Sequence, residues 1–360
     1  MATTPRIIYA RSPDGVSLAY TVTGQGPALV LVPWVPFSNL RMEWENPLMR
    51  QVYEQLGRRL TLIHYDGRGT GHSQRDVTDL SLAAMVADLE AVVDRAGLKE
   101  FSLLGQYNSC PHALAYAVRH PERVTRMALF GGTSRGWTAM SARETQALLS
   151  LIEQDWNLFA DTAAHQWMGW GAGEAGRATA EAFRGAVTPQ IARATMQAAS
   201  AVDVTDELPR VNAPTLVLHR RGATQIPLEA SRSLAMDLPR GRLVVLEGSQ
   251  PNLFLEDPDA LVKLLVDFFA DGIEPAEAAS ALSGGPLARA SEPSAPSGRL
   301  SARELEVLRL LAAGESNGQI AHRLGLSTHT IERHVSNIYR KIDARGRADA
   351  TGYALRHGLG

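Results

Sequence analysis

Gln106-Tyr107-Asn108-Ser109-Cys110, with His112 two residues on, gathers side chains that could do covalent chemistry. Ser109 and Cys110 are conventional nucleophiles, and each needs a base within hydrogen-bond reach. His112 is the nearest in sequence, yet two residues along a helix point it away from Cys110. Tyr107 carries a bulky phenol with an ordinary pKa of about 10, a poor nucleophile at neutral pH. The other histidines of this part are His64, His72, His120, His165 and His219, and none occurs between His219 and His322. Cys110 is the single cysteine, which excludes an intrachain disulfide framework and a multi-cysteine zinc site. A different chemistry is suggested by charge. Residues 299–360 hold ten Arg/Lys against six Asp/Glu, a net of +4, which leaves −6 for the rest of a chain whose formal charge is −2. A basic tail on an acidic body points to nucleic acid.

The elements that must position these groups follow from periodicity. Residues 6–11 and 16–22 predict a hairpin around Pro13-Asp14-Gly15. The apolar runs 28–32, 60–64, 101–104, 127–130, 215–219 and 243–246 predict buried parallel strands. Helical stretches at 82–96, 113–119 and 260–269 alternate with them, so the order implies a doubly wound, mostly parallel α/β sheet. Residues from about 135 to 208 break the alternation and read as a helical cap, rich in Trp, Met and Ala. We divide the chain into a body at 1–271, an Ala/Ser/Gly/Pro-rich tether at 272–298 and an all-helical domain at 299–360. In the last of these, Ser301-Ala-Arg-Glu304 and Ser316-Asn-Gly-Gln319 are capping boxes. Leu305, Leu308 and Leu311 are expected to face the core of the first helix; Ile331, Val335, Ile338 and Ile342 that of a third. Apolar runs such as 28–35 fall far short of the ~20 residues that span a bilayer. The first residues have no apolar signal core, so the expected location is cytoplasmic.

The tail resembles the LuxR-type helix-turn-helix. The carriers are Leu300-Ser-Ala-Arg-Glu304, Ala312-Ala-Gly314, Ile320-Ala-His-Arg-Leu324, Ser327-Thr-His-Thr-Ile-Glu-Arg-His-Val335 and Arg345-Gly-Arg347. The resemblance implies a recognition helix opening at Ser327 and lying in the major groove. Thr328, Thr330, Glu332, Arg333, Ser336 and Asn337 match the family's DNA-facing positions. It implies that Asn317, Arg340, Lys341 and Arg347 hold phosphates, which set register without reading sequence. Glu332 stands where many members have Lys, offering an acceptor to cytosine N4. The last helix is expected to pair two copies on DNA.

The body resembles the α/β-hydrolase fold through Asp66-Gly-Arg-Gly-Thr-Gly-His-Ser73, Leu104-Gly105, His120-Pro-Glu-Arg-Val124, Pro214-Thr-Leu-Val-Leu-His219 and Phe254-Leu-Glu-Asp-Pro258. Enzymes of that fold carry Gly-x-Ser-x-Gly at a strand-to-helix elbow. Here the pentapeptide is Gly105-Gln106-Tyr107-Asn108-Ser109, with Tyr107 at the nucleophile position. Ala223 stands at the acid position and Pro251 at the base position, so the resemblance implies a fold without its triad and no enzyme activity. A hydrolase-like cavity is still implied at the carboxyl ends of the strands. The candidate ligand contacts are Trp34, Gln106, Tyr107, Asn108, Gln250 and Asn252, with cap residues Trp137, Trp156, Trp167 and Trp170.

The expectation is a transcription regulator in which a non-catalytic hydrolase-like domain senses a small apolar or aromatic effector. Its expected partners are a double-stranded DNA operator, RNA polymerase and a second copy of the chain, with no cofactor, metal or membrane. The alternatives are an active esterase with an appended DNA-binding domain, and a protein-binding scaffold.

Overall fold

The computed structural model describes residues 4–34, 36–136, 142–168, 173–223, 226–273, 302–312, 315 and 317–324, and the single positions 331, 334, 335, 338, 341, 350 and 354. It divides into two compact units, Met1–Gly285 and Pro286–Gly360.

The first unit is built on an eight-stranded sheet ordered β1-β2-β4-β3-β5-β6-β7-β8. The strands are β1 (Ile8–Arg11), β2 (Ser17–Gly24), β3 (Ala28–Leu31), β4 (Thr61–Tyr65), β5 (Phe101–Gln106), β6 (Val124–Phe130), β7 (Thr215–Arg220) and β8 (Gly241–Leu246). β1 and β2 form the expected hairpin, and β2 meets β4 antiparallel, whereas β4 through β8 run parallel. Successive side chains go to opposite faces. Leu29, Leu31, Leu62 and Leu104 join one core, while Val30, Ile63 and Leu103 join the other. A strand covered on both faces must be apolar throughout, which is why these runs carry no polar alternation.

Helices α1 (Leu40–Glu45) and α2 (Pro47–Gly57) follow β3. Asn46 separates them, and its side chain accepts hydrogen bonds from the Leu48 and Met49 amides at the start of α2. Ser81 caps α3 (Leu82–Arg95) in the same way. α4 (Cys110–Arg119) is buried along nearly its whole length, and its alanines at 113, 115 and 117 let it seat close to the sheet. The cap consists of α5 (Ala142–Gln154), α6 (Trp156–Met168), α7 (Gly173–Ala186) and α8 (Pro189–Ser200). Leu149, Ile152, Phe159 and Met196 form one cap core; Ala160, Ala164, Ala180 and Phe183 form another. α9 (Leu228–Asp237) and α10 (Pro258–Phe269) complete the unit.

A buried ionic frame sits behind the turn after β4. The Arg68 guanidinium donates two 2.7 Å hydrogen bonds to the Asp88 carboxylate and another of 2.8 Å to Asp14. Arg68 is 1% exposed. The two carboxylates hold its pKa above the ordinary arginine value against the cost of burial.

The second unit contains α11 (Ala302–Ala312) and α12 (Asn317–Leu324). Val307, Leu308, Leu311, Ile320, Ala321, Ile331, Val335, Ile338, Ala350 and Ala354 are its core. The sequence placed Leu305 on the buried stripe of the first helix. The observed stripe is Glu304, Val307, Leu308 and Leu311, and Leu305 is half-buried. A carboxylate takes the inward place because Lys341 donates to it at 2.7 Å.

Candidate functional site

The strand order reverses between β3 and β5, and the crevice outside their carboxyl ends is where open α/β sheets bind ligands. Trp34 follows β3 there and Tyr107 follows β5. Tyr107 has φ of 49°, in the left-handed region; only Asp257 shares this among the described non-glycine residues. Such a conformation costs of order 1–3 kcal/mol and persists where the surroundings fix it. Here they do. The Ser109 hydroxyl accepts from the Gln106 amide at 2.8 Å and donates to the Gln106 carbonyl at 2.9 Å, closing the elbow. The Tyr107 ring stands edge-on to Phe130 at 5.6 Å. A Cβ at Gly131 would come within 2.7 Å of that ring, so only glycine leaves room for tyrosine at the elbow.

The Tyr107 hydroxyl donates a 2.6 Å hydrogen bond to the Pro251 carbonyl. The nucleophile position is thus tied to the base position, and neither holds a group that can deprotonate the other. Burial raises the Tyr107 phenol above its ordinary value, so it stays protonated and acts as a donor. The loop bearing Pro251 is pinned from below by Arg220, which is 2% exposed and donates to the carbonyls of Glu247, Leu253 and Glu256. The Glu256 carboxylate accepts from the amides of Ser249 and Gln250. Ala223, at the acid position, donates its backbone N–H to the Arg220 carbonyl in the turn after β7.

The substitute nucleophiles are also placed. Ser109 and Cys110 are fully buried, and the Ser109 hydroxyl is spent on the elbow. Burial pushes the Cys110 thiol up, away from the thiolate that would react. Burial lowers the His112 imidazole to about 4. His219 of β7 hydrogen-bonds Ser231 of α9 and His120 stacks on Tyr116. Among the described residues no hydrogen bond joins Ser109 or Cys110 to a histidine.

The predicted contacts divide by position. Trp34 lies 5.3 Å from Phe37 and 5.6 Å from Phe183, and the two phenylalanines stack at 4.1 Å. That cluster joins the loop after β3 to the cap. Gln106 and Asn108 flank Tyr107, half-buried. Asn252 uses its side-chain oxygen on the Phe254 amide, a local turn bond, and Gln250 is held through its backbone. Trp156 stacks on Phe159 at 5.3 Å within the cap's own core. Trp137 and Trp170 lie outside the described residues, as does the side chain of Trp167. Phe37, Phe130 and Phe183 were not singled out from the sequence. Phe37, three residues beyond Trp34, is the one that motif position could have found.

In the second unit, Ser327, Thr328, Thr330, Glu332, Arg333, Ser336, Asn337, Arg340 and Arg347 lie outside the described residues, as does the side chain of Asn317. Lys341, read as a phosphate contact, donates to the buried Glu304 of α11 at 2.7 Å.

Residues 298–354 match the luxR family of bacterial regulatory proteins, and residues 37–174 match the alpha/beta hydrolase fold. A Caulobacter sp. (strain K31) relative described as a carbamate hydrolase, RutD, is 27% identical over 232 residues, which cover 59% of this chain and 81% of that protein. The response regulator protein VraR of Staphylococcus aureus (strain Mu3 / ATCC 700698) is 42% identical over 60 residues, 17% of this chain and 29% of the regulator. The structure of an esterase from Exiguobacterium antarcticum superposes with a TM-score of 0.64 at 20% identity, over 72% of this chain and 98% of the esterase. The chain therefore carries an α/β-hydrolase-fold domain followed by a LuxR-type helix-turn-helix domain. Among the described residues no helix is long and apolar enough to cross a membrane, and no cluster of His, Cys, Asp or Glu is disposed to hold a metal ion.

Proposed function

We propose that the chain is a DNA-binding transcription regulator whose hydrolase-like domain is a non-catalytic sensor of a small apolar or aromatic molecule. One observation carries the reading: the Tyr107 hydroxyl is bonded to the Pro251 carbonyl across what would be the reaction centre. A serine there would need a histidine opposite, and the elbow instead carries a protonated phenol edge-on to the Phe130 ring. Such a surface suits contact and orientation of a ring rather than acyl transfer. The occupied cleft would change operator affinity by its differential binding to two states, typically ~1–3 kcal/mol. The tether favours coupling through pairing of two chains on a two-half-site operator, where RNA polymerase is then recruited or excluded.

The test is operator affinity with and without a cleft ligand found by thermal-shift screening. Tyr107→Ala and Trp34→Ala are expected to keep basal operator binding and lose the ligand response. An unchanged dose–response in both would reject the sensor. On the DNA side, Arg333→Ala should cost ~1–3 kcal/mol at one base position. Arg340→Ala should weaken specific and random duplexes alike.

A further inference from the structure

A cavity of about 320 Å³ lies away from the cleft, at the side of the sheet where α1 and α2 cover β2 and β4. It is lined by Leu40, Arg41 and Trp44 of α1, Tyr53 of α2, His64 of β4 and His72 of the following loop. None of these residues belongs to the elbow, the Pro251 loop or the cap. The volume falls at the lower end of small-molecule sites, enough for one or two fused rings.

Its polar groups are unevenly satisfied. The Glu43 carboxylate accepts from the Tyr53 hydroxyl at 2.6 Å and lies 3.3 Å from His64 Nε2, so the nearest acid is already occupied. The Asp66 carboxylate beneath accepts from the amides of Leu40 and His72. Arg41 is engaged with Glu45 only in an exposed i,i+4 pair, a weak competitor. Among the described residues the His72 ring makes no hydrogen bond. What remains for an occupant is the His72 imidazole and the Arg41 guanidinium, beside the half-buried Trp44 indole and the Leu40 side chain. Tyr53 holds the His64 ring edge-on at 5.3 Å, so the His64–Glu43 pair forms a fixed wall of the cavity.

We propose that this cavity is a second ligand site, for a small aromatic carboxylate. The ring would lie against Trp44 and Leu40, and the carboxylate would be received by His72 with Arg41 at the rim. The proposal stands apart from the cleft reading, because the two sites share no residue.

Isothermal titration calorimetry of the full chain with 2-naphthoate, and with the uncharged 2-naphthamide of the same shape, tests it. Naphthoate is expected to bind at one site and the amide about tenfold or more weaker, the difference a charged hydrogen-bond acceptor makes. His72→Ala should weaken naphthoate about tenfold. Arg41→Ala, at an exposed position that does not risk the fold, should weaken it about threefold. Tyr107→Ala should leave it unchanged. No binding, equal binding of the amide, or indifference to both the His72 and Arg41 substitutions would overturn the site. Loss of binding in Tyr107→Ala would place the probe in the cleft and overturn it equally.

Discussion

The turn after β4 and the elbow after β5 stand on either side of β3, and they are held in different ways. After β4 the polar residues are meshed with one another. Ser73 accepts from the Ala19 amide and donates to the Asp66 carbonyl, Thr70 meets Ser38, and Arg68 is locked between Asp88 and Asp14. After β5 the backbone keeps the left-handed elbow, but its side chain is a phenol tethered to Pro251. The first turn holds strands and cap together whatever the chemistry. The second is held by the Tyr107 ring against Phe130 and by its hydroxyl on the Pro251 carbonyl. Likeness to hydrolases therefore travels through the framework and says little about the reaction.

Breaking the framework should have the largest effect. Arg68→Ala leaves the Asp88 carboxylate buried without its cation, a loss of about 3–5 kcal/mol. Urea denaturation followed by circular dichroism measures it, and a loss under about 1 kcal/mol would deny the frame its role. At the elbow the effect should be smaller. Tyr107→Phe keeps the ring on Phe130 and orphans the Pro251 carbonyl, for about 1–2 kcal/mol in the same assay. If Tyr107→Phe proves as costly as Arg68→Ala, the contrast between the two turns collapses.

A separate effect is one of pH. Burial pushes the Asp66 carboxyl from 3.8 up to about 7. Between those values the native state holds a proton that the unfolded chain has released, so this group makes stability fall as pH rises through the window. Asp66→Asn should flatten that part of the profile. A melting temperature whose decline from pH 4 to pH 7 is the same in Asp66→Asn would show that the carboxylate is already ionised in the native state.

The motif Asp66 to Ser73 was legible as a mark of the fold, next to a strand of plain apolar pattern, but the partners of its side chains, Asp14, Ser38 and Asp88, lie outside it and were not. The elbow was legible because Tyr107 is fixed by its place after Leu104-Gly105. The tie from Tyr107 to Pro251 was not, because it crosses 144 residues and ends on a backbone carbonyl that no side-chain pattern marks. Trp156 could not be assigned either. An aromatic in an amphipathic cap helix satisfies the same periodicity whether it faces a ligand or its own neighbours, and here it faces Phe159. Asn252 had the right chemistry for a ligand contact but spends it on its own turn. Glu304 and Lys341 show the converse: the charge of each reads as surface until the partner 37 residues away is known.

Stopped-flow hydrolysis of 4-nitrophenyl acetate by the full chain tests most directly whether the cleft has ceased to be a reaction site. With a protonated phenol at the elbow and Pro251 opposite, nitrophenolate should be released without a burst, at a rate that Tyr107→Phe, Tyr107→Ser and Ser109→Ala all leave unchanged. A burst approaching one nitrophenolate per chain, abolished by Tyr107→Phe or Ser109→Ala, would show that a covalent acyl intermediate still forms and would make the domain an enzyme.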